Sequence, residues 1–281
     1  MDLDYVRVDV FAEARLAGNP LAVFPDAPGL SDDLMQAIAR ELNLSEMTFV
    51  TSAEPTRYSS RIFTPGIELP FAGHPTLGTA WVLRDLGRIG DGPVTQQTKA
   101  GETPVAFDGE RVWLERTGDG GEDADEPEAL ALQLGADAGA VGLMWPGAPG
   151  EAVELKPAVA NAGIPQLMVP LRSPNAVDAL RVSDIAPPDG IVGAYFFSLI
   201  GPGEVSARFF ASGAGIAEDP ATGSAAAALG LYLGQRLGSG RISISQGTHI
   251  ARPSRLHVEF DRKNVRVGGD VVAVGRGVLT V

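Results

Sequence analysis

"GHPTLGTAWVL" (73–83) and "EDPATGSAAAA" (218–228) can be laid one over the other. Both contain Pro-x-x-Gly-[Ser/Thr]-Ala: Pro75, Gly78, Thr79 and Ala80 in the first, Pro220, Gly223, Ser224 and Ala225 in the second. The second copy lies 145 residues after the first. At the same spacing "AGNPLAVF" (17–24) lies over "AGIPQLMV" (162–169), with Gly18 over Gly163 and Pro20 over Pro165. "RIF" (61–63) and "RFF" (208–210) are nearly in step, at a spacing of 147. One short shared motif is weak evidence. Two at one spacing, with a third nearly in step, predict a duplicated domain. At the spacing of 145, His74 lands on Asp219, and Glu46 lands on Ile191.

Each copy reads as a polar side chain, a proline, small residues and then a helix. Proline suits a first helical turn, where its missing N–H is not needed. Glycine and alanine leave the first backbone N–H groups uncovered, and those donors with the helix dipole make an anion site. Taken singly, each mouth is equally the start of an ordinary, closely packed helix. Asp219 also suits an N-cap, and His74 a cap or a satisfied core histidine. The repetition favours two ligand-facing mouths.

Composition narrows the chemistry. The chain has 281 residues, is 44% hydrophobic and carries a net charge of −13, which disfavours nucleic acid and anionic lipid as partners. There is no cysteine, so disulfides, thiolate metal sites and cysteine nucleophiles are excluded. The three histidines, His74, His249 and His257, form no local metal motif, and no metal or cofactor is expected. "MDLDYVRVDVF" is not a signal peptide, and "IVGAYFFSLI" (191–200) is too short to span a bilayer. The expectation is a soluble, cytoplasmic protein.

Two-residue alternation predicts strands at 6–11 and 256–260, and the tail 265–281 reads as two strands broken by Gly268-Gly269. "SDDLMQAIARELNL" (31–44) reads as a helix with an N-cap serine, and residues 76–86 and 221–237 follow the two mouths as helices. The acidic, glycine-rich stretch 117–135 reads as a linker. The expected halves are 1–118 and 119–281, with the last strand free to cross back to the first half.

"NLSEMTFV" (43–50) adds an acid: Glu46, flanked by Leu44, Met47 and Phe49. A carboxylate held among apolar groups has the raised proton affinity of a general acid–base, although a surface glutamate at a strand edge looks the same in sequence. The second half lacks this acid.

"VDVFAEARLAGNPLAVF" (8–24), "NLSEMTFV", "RIFTPGIELPFAGHPTLGTA" (61–80), "RFFASGAGIAEDPATGSAAA" (208–227) and "QGTHIARPSRLHV" (246–258) resemble the PhzF family of phenazine biosynthesis. The resemblance implies an α+β, diaminopimelate epimerase-like fold. In that fold two pseudo-symmetric halves each curl a mostly antiparallel sheet, a half-barrel, around a central helix, with the site in the cleft between them. It implies cofactor-independent isomerisation by proton movement, in the phenazine enzyme on a dihydro-hydroxyanthranilate. It points to Glu46 as the group that moves the proton and to His74 and Asp219 as residues lining the site. Gly73, Thr76, Thr222, Gly223 and Ser224 stand where the family meets its substrate, and members are typically homodimers. Two departures stand out: Met47 where the family often has threonine, and Ala251 where glycine is usual.

The expected function is therefore an isomerase acting on a small carboxylate-bearing substrate. A hydrolase using Ser224 with His74 and Asp219 is a rival reading, but no G-x-S-x-G elbow is present. A non-catalytic anion-binding protein on the same scaffold is the other.

Overall fold

The computed structural model describes residues 1–123, 137–147, 151–181, 190–211 and 216–281. Their contacts divide the chain into two compact units, residues 1–115 with 268–281, and residues 116–267.

The elements run β1 (Asp2–Val10), β2 (Asn19–Phe24), α1 (Asp32–Leu42), β3 (Glu46–Glu54), β4 (Arg57–Phe63), β5 (Glu68–Leu69), α2 (Gly73–Asp85), β6 (Val94–Thr98), β7 (Gly101–Asp108) and β8 (Arg111–Thr117). There follow β9 (Leu143–Pro146), β10 (Ala152–Leu155), β11 (Ala158–Asn161), β12 (Pro165–Pro170), α3 (Pro174–Asp178), β13 (Ala194–Gly201), β14 (Glu204–Ala211) and β15 (Ile216–Asp219). The chain ends with α4 (Gly223–Leu237), β16 (Gly240–Gln246), β17 (Ser254–Phe260), β18 (Asn264–Gly269) and β19 (Val271–Thr280).

In the first unit β1 pairs antiparallel with β2 and with β19, β2 runs parallel to β3, and β3 pairs antiparallel with β4. β4 pairs antiparallel with β5 and parallel with β6, which continues antiparallel to β7. One face of this sheet carries Phe24, Met47, Phe49 and Phe63, packed against Met35, Ile38 and Ala39 of α1. α1 is amphipathic, as its spacing predicts, and Ser31 caps it by accepting a hydrogen bond from the Leu34 N–H. α2 is different. Its first eight residues, Gly73–Ala80, are all buried, so it is a central helix with no exposed face over that length. Gly78 makes the close approach possible, since a Cβ there would fall 2.5 Å from Leu21 and 2.8 Å from Val10.

The second unit repeats this order. β11 pairs antiparallel with β12, β12 runs parallel to β13, and β13 pairs antiparallel with β14. β14 pairs antiparallel with β15 and parallel with β16, which continues antiparallel to β17. α3 packs on one face through Val177, against Leu167, Val169, Leu171 and Phe196. α4 is buried from Ala225 through Gly234. Among the described residues the fold is α+β and mostly antiparallel, with two parallel pairings in each unit.

The register corrects the spacing read from sequence. Gly18 and Gly163 do correspond: both adopt a positive φ, +66° and +108°, at the turn into β2 and β12, a conformation that suits glycine. Further along, Phe63 pairs with Met47 and Phe210 with Ala194, so the spacing has grown to 147. Ile62 then pairs with Leu69 where Phe209 pairs with Asp219, a spacing of 150. Three residues have been added between β14 and β15. The counterpart of Asp219 is therefore Leu69, not His74. His74 and Ser224 are instead equivalent, each the second residue of its helix. The counterpart of Glu46 is Gly193, not Ile191.

Other expectations shift less. α2 starts at 73 rather than 76, and α4 at 223 rather than 221. The strand break in the tail falls at Asp270, after Gly268-Gly269. Of the expected linker, residues 124–135 lie outside the described residues. Its first part is held rather than loose: Asp119 pairs through its backbone with Asn161, and Asp123 bridges to Ala158.

Candidate active site

β2 and β3 run parallel, with Leu21 opposite Glu46 at the first position of β3. Side chains alternate along a strand, so Glu46 and Thr48 share one face while Met47 and Phe49 share the other. The structure bears this out: Thr48 Oγ1 lies 2.8 Å from Thr79 Oγ1 of α2, whereas Met47, Phe49 and Leu44 pack in the cluster under α1. The apolar residues flanking Glu46 in sequence are thus not the groups facing its carboxylate. His74 is. Its Nδ1 lies 3.2 Å from Glu46 Oε2, with the two side chains 5% and 18% exposed.

His74 is held neutral. Burial pushes its pKa from 6.5 down to about 3, and a hydrogen bond donated by the ring to the Pro20 carbonyl works the other way. The positive end of the α2 dipole acts in the same direction as burial. At neutral pH the imidazole is therefore uncharged and the contact is not an ion pair. Where the Glu46 carboxyl is ionised it only accepts hydrogen bonds, and the tautomer consistent with the contact then carries its proton on Nδ1. His74 Nε2 is buried and has no hydrogen-bond partner among the described residues.

α2 opens at Ala72, whose side chain cannot cap it, which leaves the N–H groups of Gly73 and His74 without a side-chain acceptor from the N-cap. Thr76 is fully buried, and its hydroxyl is engaged within the unit, by Ala72 O at 2.8 Å and Gln96 Oε1 at 2.7 Å. Its expected substrate contact is not supported by this geometry.

In the second unit Asp219 ends β15, and its Oδ2 accepts a 2.5 Å hydrogen bond from Thr222 Oγ1. Thr222 is the N-cap of α4 but makes no side-chain cap bond, because its hydroxyl serves Asp219 instead. Gln246 ties the turn together. It donates to Asp219 O at 2.9 Å and to Thr222 Oγ1 at 3.0 Å, and accepts from Tyr195 OH at 2.8 Å. Gly247, at φ +78°, lets the chain pass close to Pro220: a Cβ there would fall 2.5 Å from Pro220 O. Ser224 Oγ accepts a hydrogen bond from Gln166 Nε2 at 2.9 Å. An amide N–H donor cannot take a proton from serine, which removes support for the hydrolase reading.

Each β-turn into a helix mouth is anchored by the same device. Arg61 and Glu68 make a two-pronged pair at 2.8 and 2.6 Å, and Arg208 and Glu218 repeat it at 3.0 and 2.8 Å. Gln166, Gln246, Tyr195 and the two arginine–glutamate pairs were not singled out in the sequence. The signal for the pairs was present as R-[IF]-F followed by Glu-x-Pro in both copies.

Among the described residues no helix is long and apolar enough to cross a membrane, and no cluster of three or more histidine or acidic side chains could hold a metal ion.

Two units with one repeated strand order, each with a buried helix, give the α+β, diaminopimelate epimerase-like class of fold. The family model for phenazine biosynthesis-like proteins, PhzC-PhzF, matches residues 8–277, and the chain belongs to that family. An uncharacterized isomerase of Pasteurella multocida is 38% identical over 99% of this chain and 94% of its own length. The trans-2,3-dihydro-3-hydroxyanthranilate isomerase of Pseudomonas chlororaphis is 35% identical over 99% of both chains. The crystal structure of a PhzF-family protein of Bacillus anthracis superimposes with a TM-score of 0.81 at 23% identity, covering all of both chains, which shows the shared fold.

Proposed function

We propose that this isomerase moves a proton between two carbons of a small carboxylate-bearing substrate, with Glu46 as the single acid–base and without a cofactor. The observation that carries the reading is the 3.2 Å contact between Glu46 and a histidine kept neutral by burial. A proton shift needs one group that accepts and then returns a proton. Neutral His74 fixes the Glu46 carboxyl through Oε2 without adding a positive charge beside it. Gly73 and His74 at the mouth of α2 bind the substrate with Glu46, and Asp219, Thr222, Gly223 and Ser224 at the mouth of α4 are further substrate-binding residues in this reading. The uncapped N–H groups of both helix mouths then receive anionic oxygen.

The first substrate to test is trans-2,3-dihydro-3-hydroxyanthranilate, the compound named for the Pseudomonas chlororaphis relative. Incubated with the protein in heavy water, a true substrate gains solvent deuterium at carbon, read by mass spectrometry. A panel of cyclic and acyclic amino and hydroxy acids that binds but gains none would instead favour a binding protein. Homodimerisation, proposed with the family, is checked by sedimentation velocity: a single species at twice the chain mass is expected.

A further inference from the structure

We propose that Gln166 is a positioning residue that aims the Ser224 hydroxyl at an anionic oxygen of the ligand, through the 2.9 Å contact between its amide and Ser224 Oγ at the start of α4. The inference rests on the proposed function and names the part of the second unit that holds the substrate's carboxylate.

The argument starts from the repeat. Leu21 of β2 and Gln166 of β12 are equivalent, each one residue before the position opposite Met47 or Ala194 in the parallel register, on the face turned towards its helix. In the first unit Leu21 fills that place by packing against α2 at Gly78. A leucine is thus compatible with the scaffold, yet the second unit buries an amide there, 1% exposed. Gln166 Oε1 has no hydrogen-bond partner among the described residues, an unfavourable state for a buried carbonyl oxygen.

The two units therefore equip the same helix position differently. His74 in the first meets Glu46, and its counterpart Ser224 in the second meets Gln166. No acid could stand where Glu46 stands in the first unit: its counterpart is Gly193, where a Cβ would fall 2.3 Å from the Phe209 ring and 2.8 Å from Phe210 O. The second unit holds and orients. Because Gln166 donates to Ser224 Oγ, that oxygen is used as an acceptor, and its own proton is left to donate outward, beside the uncapped mouth of α4. Gln166 Oε1 lies on the same planar amide, next to Ser224, and calls for an N–H or O–H donor. The ligand class that satisfies both groups is a carboxylate with an amino or hydroxyl group on the neighbouring carbon.

Calorimetric titration with anthranilate, benzoate and benzamide tests this without turnover, so it stands or falls apart from the proton-transfer reading. Wild-type protein is expected to bind anthranilate more tightly than benzoate and to bind benzamide least. Gln166→Leu should weaken anthranilate about tenfold and erase its advantage over benzoate. In a Ser224→Ala background the same change should cost much less, since the two act as a unit. Gln166→Glu should abolish carboxylate binding, because a carboxylate there captures the serine proton and repels the ligand. Should Gln166→Leu fold poorly by circular dichroism, Gln166→Met replaces it. The proposal is overturned if wild type binds none of the three, if Gln166→Leu binds anthranilate as wild type does, or if its cost is undiminished in Ser224→Ala.

Discussion

His74 acts through being buried, not through being charged. Its imidazole takes up a proton near pH 6.5 in an unfolded chain but only near pH 3 in the folded one. Between those values the unfolded state binds the extra proton, so stability rises with pH and is lost as pH falls through that window. The slope is about 1.4 kcal/mol per pH unit. Urea denaturation at pH 7 and pH 5 is expected to show wild type losing about 2 kcal/mol more than His74→Gln. Equal losses in the two proteins would mean that the imidazole is not held neutral. The same burial supports Glu46 over His74 as the proposed base: a group that resists protonation to pH 3 has little capacity to hold a substrate proton at pH 7.

At the level of elements, the two helix mouths are set by the turns that lead into them. Arg208 and Glu218 are 6% and 3% exposed, and the guanidinium also donates to the carbonyls of Val177 and Leu180 at 3.2 and 2.6 Å. Removing one partner leaves the other charge buried and unpaired. Glu218→Ala is therefore expected to cost about 3–5 kcal/mol in chemical denaturation, and Arg208→Met with Glu218→Leu together markedly less. If the double variant is no better than the single, the pair does not act as a unit. A second element-scale prediction concerns Ala251, which caps the short turn after Thr248–Ile250 at φ +56°. That left-handed conformation strains a side chain bearing a Cβ and suits glycine, which accounts physically for the glycine usual there in the resembling family. Ala251→Gly is expected to raise stability by about 0.5–1 kcal/mol, the relief of strain outweighing the added freedom of the unfolded chain. A fall in melting temperature would contradict this.

At the scale of the molecule, the duplication was legible in the sequence because its glycines and prolines mark turns that cannot change without changing the backbone. Gly18 and Gly163 show this, both at positive φ. The central helices, the β1 and β17 strands and the Ser31 cap were legible for the same local reasons. What a fixed spacing could not reveal was the three-residue addition between β14 and β15, so His74 was set over Asp219 when its true counterpart is Ser224. Linear neighbours also misled at Glu46, because strand alternation sends Met47 and Phe49 to the opposite face. Gln166 reaches its partner from 58 residues away and Gln246 its partners from 27 and 24, and no local pattern announces such contacts.

The proposal that one acid, Glu46, moves the proton is open to direct measurement. Solvent deuterium incorporation into trans-2,3-dihydro-3-hydroxyanthranilate, or whichever carboxylate wild type labels, is followed by mass spectrometry for wild type, Glu46→Gln and His74→Asn. Glutamine keeps the size of glutamate and can still face His74, but it cannot carry the proton. Glu46→Gln is expected to slow exchange by about 10²–10⁴-fold with ligand affinity nearly unchanged, and His74→Asn to retain a larger share of the rate. Near-wild-type exchange in Glu46→Gln, together with its loss in His74→Asn, would contradict the account and make the histidine the base.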